Sequence, residues 1–128
     1  MEVKIETARL AKKKGFKVQV FKYYDTNGMT YYGMNSTGIM LGWDWNSSFK
    51  ERVSAPLQSQ LQAWLREKHN IHMYTKMFHD SLEEKTTFTC DTLKLNDGRV
   101  SFKSPMLETY EDALEYALNE GLKLIEKK

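Results

Sequence analysis

Three histidines and a single cysteine are the side chains of this sequence that could bind a metal ion or act as a nucleophile. His69 and His72 are three positions apart, where a predicted helix gives way to a predicted strand. A structural zinc site uses four ligands, and Cys90 or Asp91 on a neighbouring strand could supply a third. The simpler interpretation is that His69 helps to end the helix and that His72 lies half-exposed. We therefore predict no metal ligand and no cofactor.

Cys90 beside a histidine would resemble a nucleophile with its base. A catalytic thiol needs a lowered pKa, which a helix N-terminus or a nearby cation provides. Cys90 instead lies inside a predicted strand next to Asp91, which favours a small buried core residue. The chain also lacks the P-loop, G-x-G-x-x-G, G-x-S-x-G and H-E-x-x-H motifs. We predict no catalytic residue, and an enzyme or metal site near His69, His72 and Cys90 stays the third alternative.

Lysines and tyrosines near the first predicted hairpin could bind single-stranded nucleic acid, because cations contact the phosphates and aromatic rings stack on the bases. The tyrosines are Tyr23, Tyr24, Tyr31 and Tyr32, with successive positions on opposite faces. The lysines are Lys12, Lys13, Lys14, Lys17 and Lys22. The simpler interpretation is that one tyrosine of each pair is core and that the lysines are solvated. Nucleic-acid binding is therefore the second alternative.

The segment Trp43-Asp44-Trp45 places both tryptophans on one face of a predicted strand. If no helix covers that face, the pair is an exposed aromatic patch of the kind that anchors protein interfaces. The aromatic content of 12% exceeds what so small a core needs. We therefore predict an interface that uses Trp43, Trp45, Tyr24 and Tyr32, most economically in a homodimer.

The elements that must position these residues are three helices and about five or six strands. Leu57, Leu61, Trp64 and Leu65 share one face of the second helix, with Ser54 as its predicted N-cap. The predicted helices span 5–14, 54–69 and 110–126, and the predicted strands span 17–24, 29–34, 39–45, 71–78, 86–95 and 99–103. Turns are predicted at 25–28 and 96–98, each ending in an Asn-Gly or Asp-Gly pair, and a bulge is expected near Asp91. This order predicts an α+β fold whose antiparallel sheet has helices covering one face.

Length and composition indicate one domain, residues 1–128, with ordinary apolar content. One cysteine allows no internal disulfide, and no apolar run has the length of a signal peptide or membrane span. We therefore expect a cytoplasmic protein without a membrane partner. The formal net charge is only +2. The N-terminal end is basic and the C-terminal end is acidic, so the first and last helices could attract each other within a monomer or between subunits.

Three blocks of the sequence carry a resemblance to a known family. They are ETARLAKKKGF at 6–16, the segment from Ala55-Pro56 through WLREKHNI at 64–71, and YEDALE at 110–115 with the helix to Ile125. The chain resembles a family of small uncharacterised proteins from phage and prophage regions of gut bacteria, especially Bacteroides-type hosts. The resemblance implies a mobile-element accessory protein of the bacterial cytoplasm, and it carries over no site residue. The sequence thus favours a non-enzymatic, self-associating interaction protein.

Overall fold

The computed structural model describes residues 1–94 and 100–125. The chain is an α+β protein, as predicted. Its elements in chain order are α1 (Ile5–Lys13), β1 (Lys22–Tyr24), β2 (Thr30–Tyr32), α2 (Trp45–Ser48), β3 (Val53–Ser54), α3 (Gln58–His69), β4 (Ile71–Asp80), β5 (Lys85–Lys94), β6 (Val100–Lys103) and α4 (Tyr110–Lys123). Within the described residues, no helix is long and apolar enough to cross a membrane.

The prediction of a single sheet with three helices was wrong. The described part of the chain has four helices, and its strands form two antiparallel sheets in the orders β2-β1-β3 and β4-β5-β6. Contacts gather in two compact units, Met1–Leu57 and Gln58–Lys128, each with one sheet. We call these the N-terminal unit and the C-terminal unit, and each is described by itself.

Helix α1 and the first hairpin of the N-terminal unit follow the prediction. Gly15, with a φ of +92°, ends the helix region, because glycine adopts this left-handed conformation without strain. Strand β1 pairs with β2, and Tyr23 faces Tyr31. The Asp25 carboxylate accepts the backbone N–H of Met29 at 2.9 Å and so fixes the connecting turn. The strands are shorter than predicted.

The predicted strand 39–45 does not form. The chain turns back at Asn35, whose side-chain oxygen accepts the backbone N–H of Ile39 at 3.0 Å, and it then makes only isolated bridges. Helix α2 starts at Trp45, because the Asp44 carboxylate caps it by accepting the N–H of Ser47. Since the chain becomes helical at this point, the prediction that Trp43 and Trp45 share a strand face was wrong.

The start of the second predicted helix was also wrong. Ser54 lies in β3, where it pairs with Tyr23 of β1, and α3 begins only at Gln58. Leu57 consequently lies outside the helix and is 43% exposed. The other predicted core positions of this helix, Leu61, Trp64 and Leu65, are buried.

The second sheet consists mainly of a long hairpin. Strands β4 and β5 pair without a break from Ile71 opposite Lys94 to Asp80 opposite Lys85, so the bulge predicted in β5 is absent from this pairing. The apolar residues of β5 can change from one face to the other without a bulge, because both faces of this strand are buried at its middle. Thr89 and Cys90 point to opposite faces, and both are buried.

Helices α3 and α4 cover one face of this sheet. Thr109 caps α4 as predicted, since its hydroxyl accepts the backbone N–H of Asp112 at 3.0 Å. Within the helix, Gly121 approaches the sheet so closely that a Cβ there would overlap the side-chain methyl group of Met73. The predicted turn at 96–98 and the predicted end of the last helix at 126 lie outside the described residues.

Candidate interaction surface

Four aromatic rings of the N-terminal unit form a continuous row, which we call the aromatic ladder. Tyr31 stacks on Tyr23 with ring centroids 5.7 Å apart, and Tyr23 lies 4.7 Å from Trp45. Phe49 continues the row, 5.9 Å from Trp45. The Trp45 ring is anchored from inside, because its Nε1 donates to the carbonyl of Val20 at 2.9 Å. The ladder therefore joins the first hairpin to helix α2 and the loop after it.

Arg52 lies over the aromatic ladder. Its guanidinium carbon is 4.1 Å from the centroid of Phe49, 4.5 Å from that of Tyr23 and 5.6 Å from that of Trp45. Such stacking attracts the cation to the negative faces of the rings. Among the described residues, no carboxylate forms an ion pair with Arg52. The guanidinium thus keeps its hydrogen-bond donors available to an acceptor from outside the chain.

An open cleft of about 580 Å³ lies beside Arg52. Its lining carries both signs of charge, from Lys50 and Arg52 and from Asp25 and Glu51. The hydrogen bond from the backbone N–H of Met29 lowers the pKa of Asp25. The charge of Asp25 in turn raises the pKa of Tyr31. The carboxylate of Asp25 is therefore engaged within the turn.

Lys12 of helix α1 fixes the loop that carries Arg52. Its ammonium group donates to the carbonyl oxygens of Phe49, Lys50 and Arg52 at 3.2, 2.9 and 2.7 Å. Burial lowers the pKa of Lys12. Three carbonyl acceptors satisfy all three donors of an ammonium group, so this lysine acts as a clamp inside the N-terminal unit.

Exposed apolar side chains form a second feature, which we call the apolar surface. Its members come from neighbouring backbone segments, because the N–H of Gly33 bonds the carbonyl of Phe21 and the N–H of Leu41 bonds the carbonyl of Gly33, both at 2.8 Å. They are Phe21, Met34, Ile39, Met40, Leu41 and Trp43, each between 39% and 62% exposed. Residues 29–43 contain no Asp, Glu, Lys, Arg or His. The stretch that supplies five of these six exposed side chains therefore carries no charge of its own.

The four residues predicted as interface anchors lie in different surroundings. Trp43 is 47% exposed, and its Nε1 donates to the hydroxyl of Ser48. Tyr32 is 48% exposed and lies under the ammonium of Lys22. Tyr24 is half-buried, with its hydroxyl bonded to a backbone carbonyl. Trp45 is only 6% exposed and belongs to the core of the unit. Trp43 and Tyr32 are thus the two predicted anchors whose rings reach the surface.

At least two of the five predicted nucleic-acid lysines are engaged within the unit. Lys12 clamps the 49–52 loop, and Lys22 forms an ion pair with Glu2. Lys13 and Lys17 are exposed, and Lys14 is partly exposed. The structure therefore does not bring the five ammonium groups together as one free basic patch.

The histidines and the cysteine are not brought together either. His69 packs edge-on against Trp64, and His72 bonds the side chain of Asn70 at 2.7 Å. Cys90 lies opposite Thr75, so its side chain points to the sheet face opposite to that of His72. Burial raises the pKa of Cys90. In the part of the chain that the structure describes, no three His, Cys, Asp or Glu side chains could jointly hold a metal ion.

Sequence reasoning missed Arg52 and Phe49, which lie in a stretch without periodicity. The one local signal was the aromatic excess of the chain, which indicated rings beyond the needs of the core. In a search of family models, of curated proteins and of solved structures, none matches this chain.

Proposed function

We propose that this chain is a non-enzymatic interaction protein of the bacterial cytoplasm, that it self-associates, and that its apolar surface binds another protein. The resemblance to small phage and prophage proteins supports an accessory role in a mobile element. The observation that carries the proposal is the apolar surface itself, in which exposed Ile39, Leu41 and Trp43 belong to the uncharged stretch 29–43 and exposed Phe21 belongs to the segment bonded to it. Exposed apolar patches of this kind are typical of interaction sites in soluble proteins.

The chemistry of the apolar surface favours one class of partner. Salt bridges cannot select a partner for residues 29–43, because they contain no charged side chain. Three methionines in this stretch, Met29, Met34 and Met40, are 46–60% exposed, and their flexible side chains adapt to varied apolar shapes. The expected partner is therefore an apolar protein segment, such as one face of an amphipathic helix, without a fixed charge pattern.

A double substitution tests this part of the proposal. Ile39→Ser with Leu41→Ser removes the apolar side chains, while Leu82→Ser, at a 95% exposed position of the C-terminal unit, is the matched control. A partner captured by the wild type from a Bacteroides-type host is purified and titrated by calorimetry. We expect binding that survives high salt, has a negative heat-capacity change, and is weakened only by the double substitution.

Two results would contradict the proposal. Binding that disappears at high salt would indicate an electrostatic contact elsewhere on the chain. A double variant that binds as well as the wild type would exclude the apolar surface as the site. If the double variant instead loses only self-association, the occupant of the apolar surface is a second copy of the chain and not another protein.

A second candidate function, the binding of single-stranded nucleic acid, is supported by the position of Arg52. Its guanidinium lies on the aromatic ladder without an ion-pair partner among the described residues, and Lys50 lines the same cleft. Tyr31 at the end of the ladder is 46% exposed. A base could stack on this ring while a phosphate accepts bidentate hydrogen bonds from Arg52.

Fluorescence anisotropy with labelled single-stranded and double-stranded oligonucleotides tests this second candidate. We expect micromolar binding of the single strand that weakens steeply with salt, because phosphate contacts release counterions. Arg52→Ala should weaken it, whereas Arg66→Ala, at an exposed position of α3, should not. Anisotropy that stays flat at high protein concentration would remove the candidate.

A further inference from the structure

Strand β4 lies at the edge of its sheet, since the strand order is β4-β5-β6. It is ten residues long and contains no proline, and its pairing with β5 has no break. Its second half is exposed, with Met77 at 65% and Phe78 at 40%. Edge strands that avoid pairing are usually short, bulged, or interrupted by proline and charges. Apart from Lys76, whose charge Asp91 balances, and Asp80 at its last position, β4 has none of these protections.

The hydrogen bonds that β5 makes on its β6 side show which residues of β4 point their backbone N–H and C=O groups away from β5. Phe88 and Cys90 of β5 use their backbone groups toward the β6 side, where they bond Leu107 and Ser104. In an antiparallel ladder, residues opposite each other either both bond across that ladder or both do not. Met77, which lies opposite Phe88, therefore turns its N–H and C=O to the free edge. The same alternation applies to Thr75 and His79.

The inner part of this edge is already occupied, and the outer part is not. The side chain of Gln62 donates to the carbonyl of Met73 at 3.0 Å. Among the described residues, no group beyond β5 bonds the backbone of Met77 or His79. The stretch available for pairing is therefore limited to about the last five residues of β4, from 76 to 80.

We propose that a second copy of this chain pairs with the free edge of β4 in an antiparallel, two-fold arrangement centred on Phe78. The two sheets then join into one sheet of six strands across the dimer. Met77 of each copy lies opposite His79 of the other, and the two exchange N–H to C=O hydrogen bonds, as their outward-pointing backbone groups allow. Phe78 lies opposite Phe78 of the second copy in the close, non-hydrogen-bonded position.

Charge and ring complementarity favour this register. It places Lys76 opposite Asp80 of the second copy, twice by symmetry. Lys76 is accessible for this contact, because its side chain is 46% exposed although it pairs with Asp91. Opposite charges and aromatic pairs that face each other across strands are stabilising. The two Phe78 rings, half-exposed in one copy, cover each other in the dimer.

Two neighbouring registers that also fit the outward backbone groups are less favourable. A centre on Lys76 would set the two lysines directly opposite each other, and like charges in that position repel. It would also extend the pairing to Met73, whose carbonyl Gln62 already bonds. A centre on Met77 would place the Lys76 side chain opposite Phe78 and would leave Asp80 without a cation.

This inference rests on the self-association part of the proposed function and is independent of the apolar surface. Three variants that each add one cysteine, Lys76→Cys, Met77→Cys and Phe78→Cys, distinguish these registers, because each places its new cysteine opposite itself in only one of them. The native Cys90 does not interfere, since it is fully buried. Residues in a non-hydrogen-bonded pair are about 4.5 Å apart at Cα, which a disulfide can span. We expect only Phe78→Cys to form a covalent dimer under mild oxidation.

A proline substitution provides the second measurement. Met77→Pro removes an N–H that points to the free edge, so the monomer should keep its fold by circular dichroism. We expect dimerisation, measured by sedimentation, to weaken by roughly tenfold or more, because each copy loses an interchain hydrogen bond. Met77→Ala keeps the N–H and should dimerise like the wild type.

Two outcomes would overturn the inference in different ways. A wild type that stays monomeric at high concentration, with no covalent dimer from Phe78→Cys, would remove both this interface and self-association. A stable dimer that is unaffected by Met77→Pro and not cross-linked through Phe78→Cys would leave self-association intact and place it on another surface. A cross-link through Lys76→Cys or Met77→Cys would contradict the proposed register.

Discussion

The ammonium nitrogen of Lys12 lies 2.7 Å from the carbonyl oxygen of Arg52. This bond connects helix α1 to the loop that ends just before β3. Because Arg52 belongs to that loop, the bond also helps to hold its guanidinium over the aromatic ladder. A lysine from the predicted basic patch thus serves as an internal clamp. The cleft depends on it, because the 49–52 loop has no regular secondary structure of its own.

Lys12→Met should loosen the loop without unfolding the protein. The substitution keeps an apolar stem but leaves the carbonyls of Phe49, Lys50 and Arg52 without their shared donor. We expect a loss of about 1.5–3 kcal/mol in the free energy of unfolding, as for other hydrogen bonds that involve a charged group. Amide hydrogen exchange in residues 49–52 should rise. Lys13→Met, at an exposed position of the same helix, is the control, and equal exchange in both variants would contradict the clamp.

Gly33→Ala should destabilise the N-terminal unit. A Cβ at Gly33 would overlap the Trp45 indole and would lie 2.9 Å from the carbonyl oxygen of Leu41, a backbone atom that cannot move aside. Overpacking of this kind costs about 1–3 kcal/mol. Gly42→Ala is the matched control, because a Cβ there meets its nearest neighbour, Phe21, at an ordinary 3.7 Å. Thermal unfolding should separate the two variants, and equal midpoints would show that Trp45 can shift.

The fold could be predicted wherever a local signal determines the structure. The Thr109 cap, the buried face of α3 and the strong turn ending in Gly28 all specify their elements within a few residues. Ser54 could not be assigned, because its pairing with Tyr23 involves residues far apart in the sequence. The division into two sheets has the same origin, since it depends on which strands meet and not on the pattern of any one strand.

The candidate site could be predicted only in part. The aromatic excess indicated an exposed surface, and Trp43 lies on it. Strand alternation predicted that Trp43 and Trp45 share one exposed face, which was wrong for Trp45. The four-residue helix capped by Asp44 instead turns Trp45 into the core and leaves Trp43 exposed. Arg52 had no signal, because its role comes from contacts with rings on β1, on α2 and in its own loop.

The ion pair between Glu2 and Lys22 predicts a specific dependence of stability on pH. The hydrogen bond from Lys22 lowers the pKa of Glu2, and the same bond raises the pKa of Lys22 to about 12. The stabilisation is therefore complete above the ordinary glutamate pKa and is lost as the pH falls through the lowered value. On the alkaline side it is complete below the ordinary lysine pKa and is lost as the pH rises through about 12.

Glu2→Gln isolates this effect. The difference in unfolding free energy between wild type and variant should be constant near neutral pH and should vanish in acid. Glu67→Gln, at an exposed position of α3, should show no such acid-dependent difference. A difference between wild type and Glu2→Gln that persists in strong acid would mean that the pair stabilises through packing and not through charge.

Cys90 should be unreactive in the folded protein. Its side chain is fully buried and burial raises the pKa of its thiol, so both access and thiolate concentration are low. A thiol reagent should label the native protein very slowly and the denatured protein completely. Rapid labelling under native conditions would indicate local opening of β5. The Phe78→Cys variant provides an internal comparison, because its new thiol lies at a partly exposed position of the same hairpin.

Two buried hydroxyl groups in the C-terminal unit should affect stability differently when they are removed: removal of one should not lower the free energy of unfolding, whereas removal of the other should. Thr92 is fully buried, and its hydroxyl has no hydrogen-bond partner among the described residues. The Ser104 hydroxyl accepts the backbone N–H of Cys90 at 2.8 Å and donates to the carbonyl of Pro105 at 3.0 Å. Burying a polar group is unfavourable unless it is hydrogen-bonded.

Thr92→Val should therefore leave the free energy of unfolding unchanged or raise it by up to about 1 kcal/mol, because an isosteric methyl group replaces an unpaired hydroxyl. Ser104→Ala should lower it by about 1–3 kcal/mol, because the N–H of Cys90 loses its acceptor. Chemical denaturation of both variants measures the two effects on the same sheet. A Thr92→Val variant destabilised as much as Ser104→Ala would show that the Thr92 hydroxyl is bonded, and that this part of the core holds a polar contact.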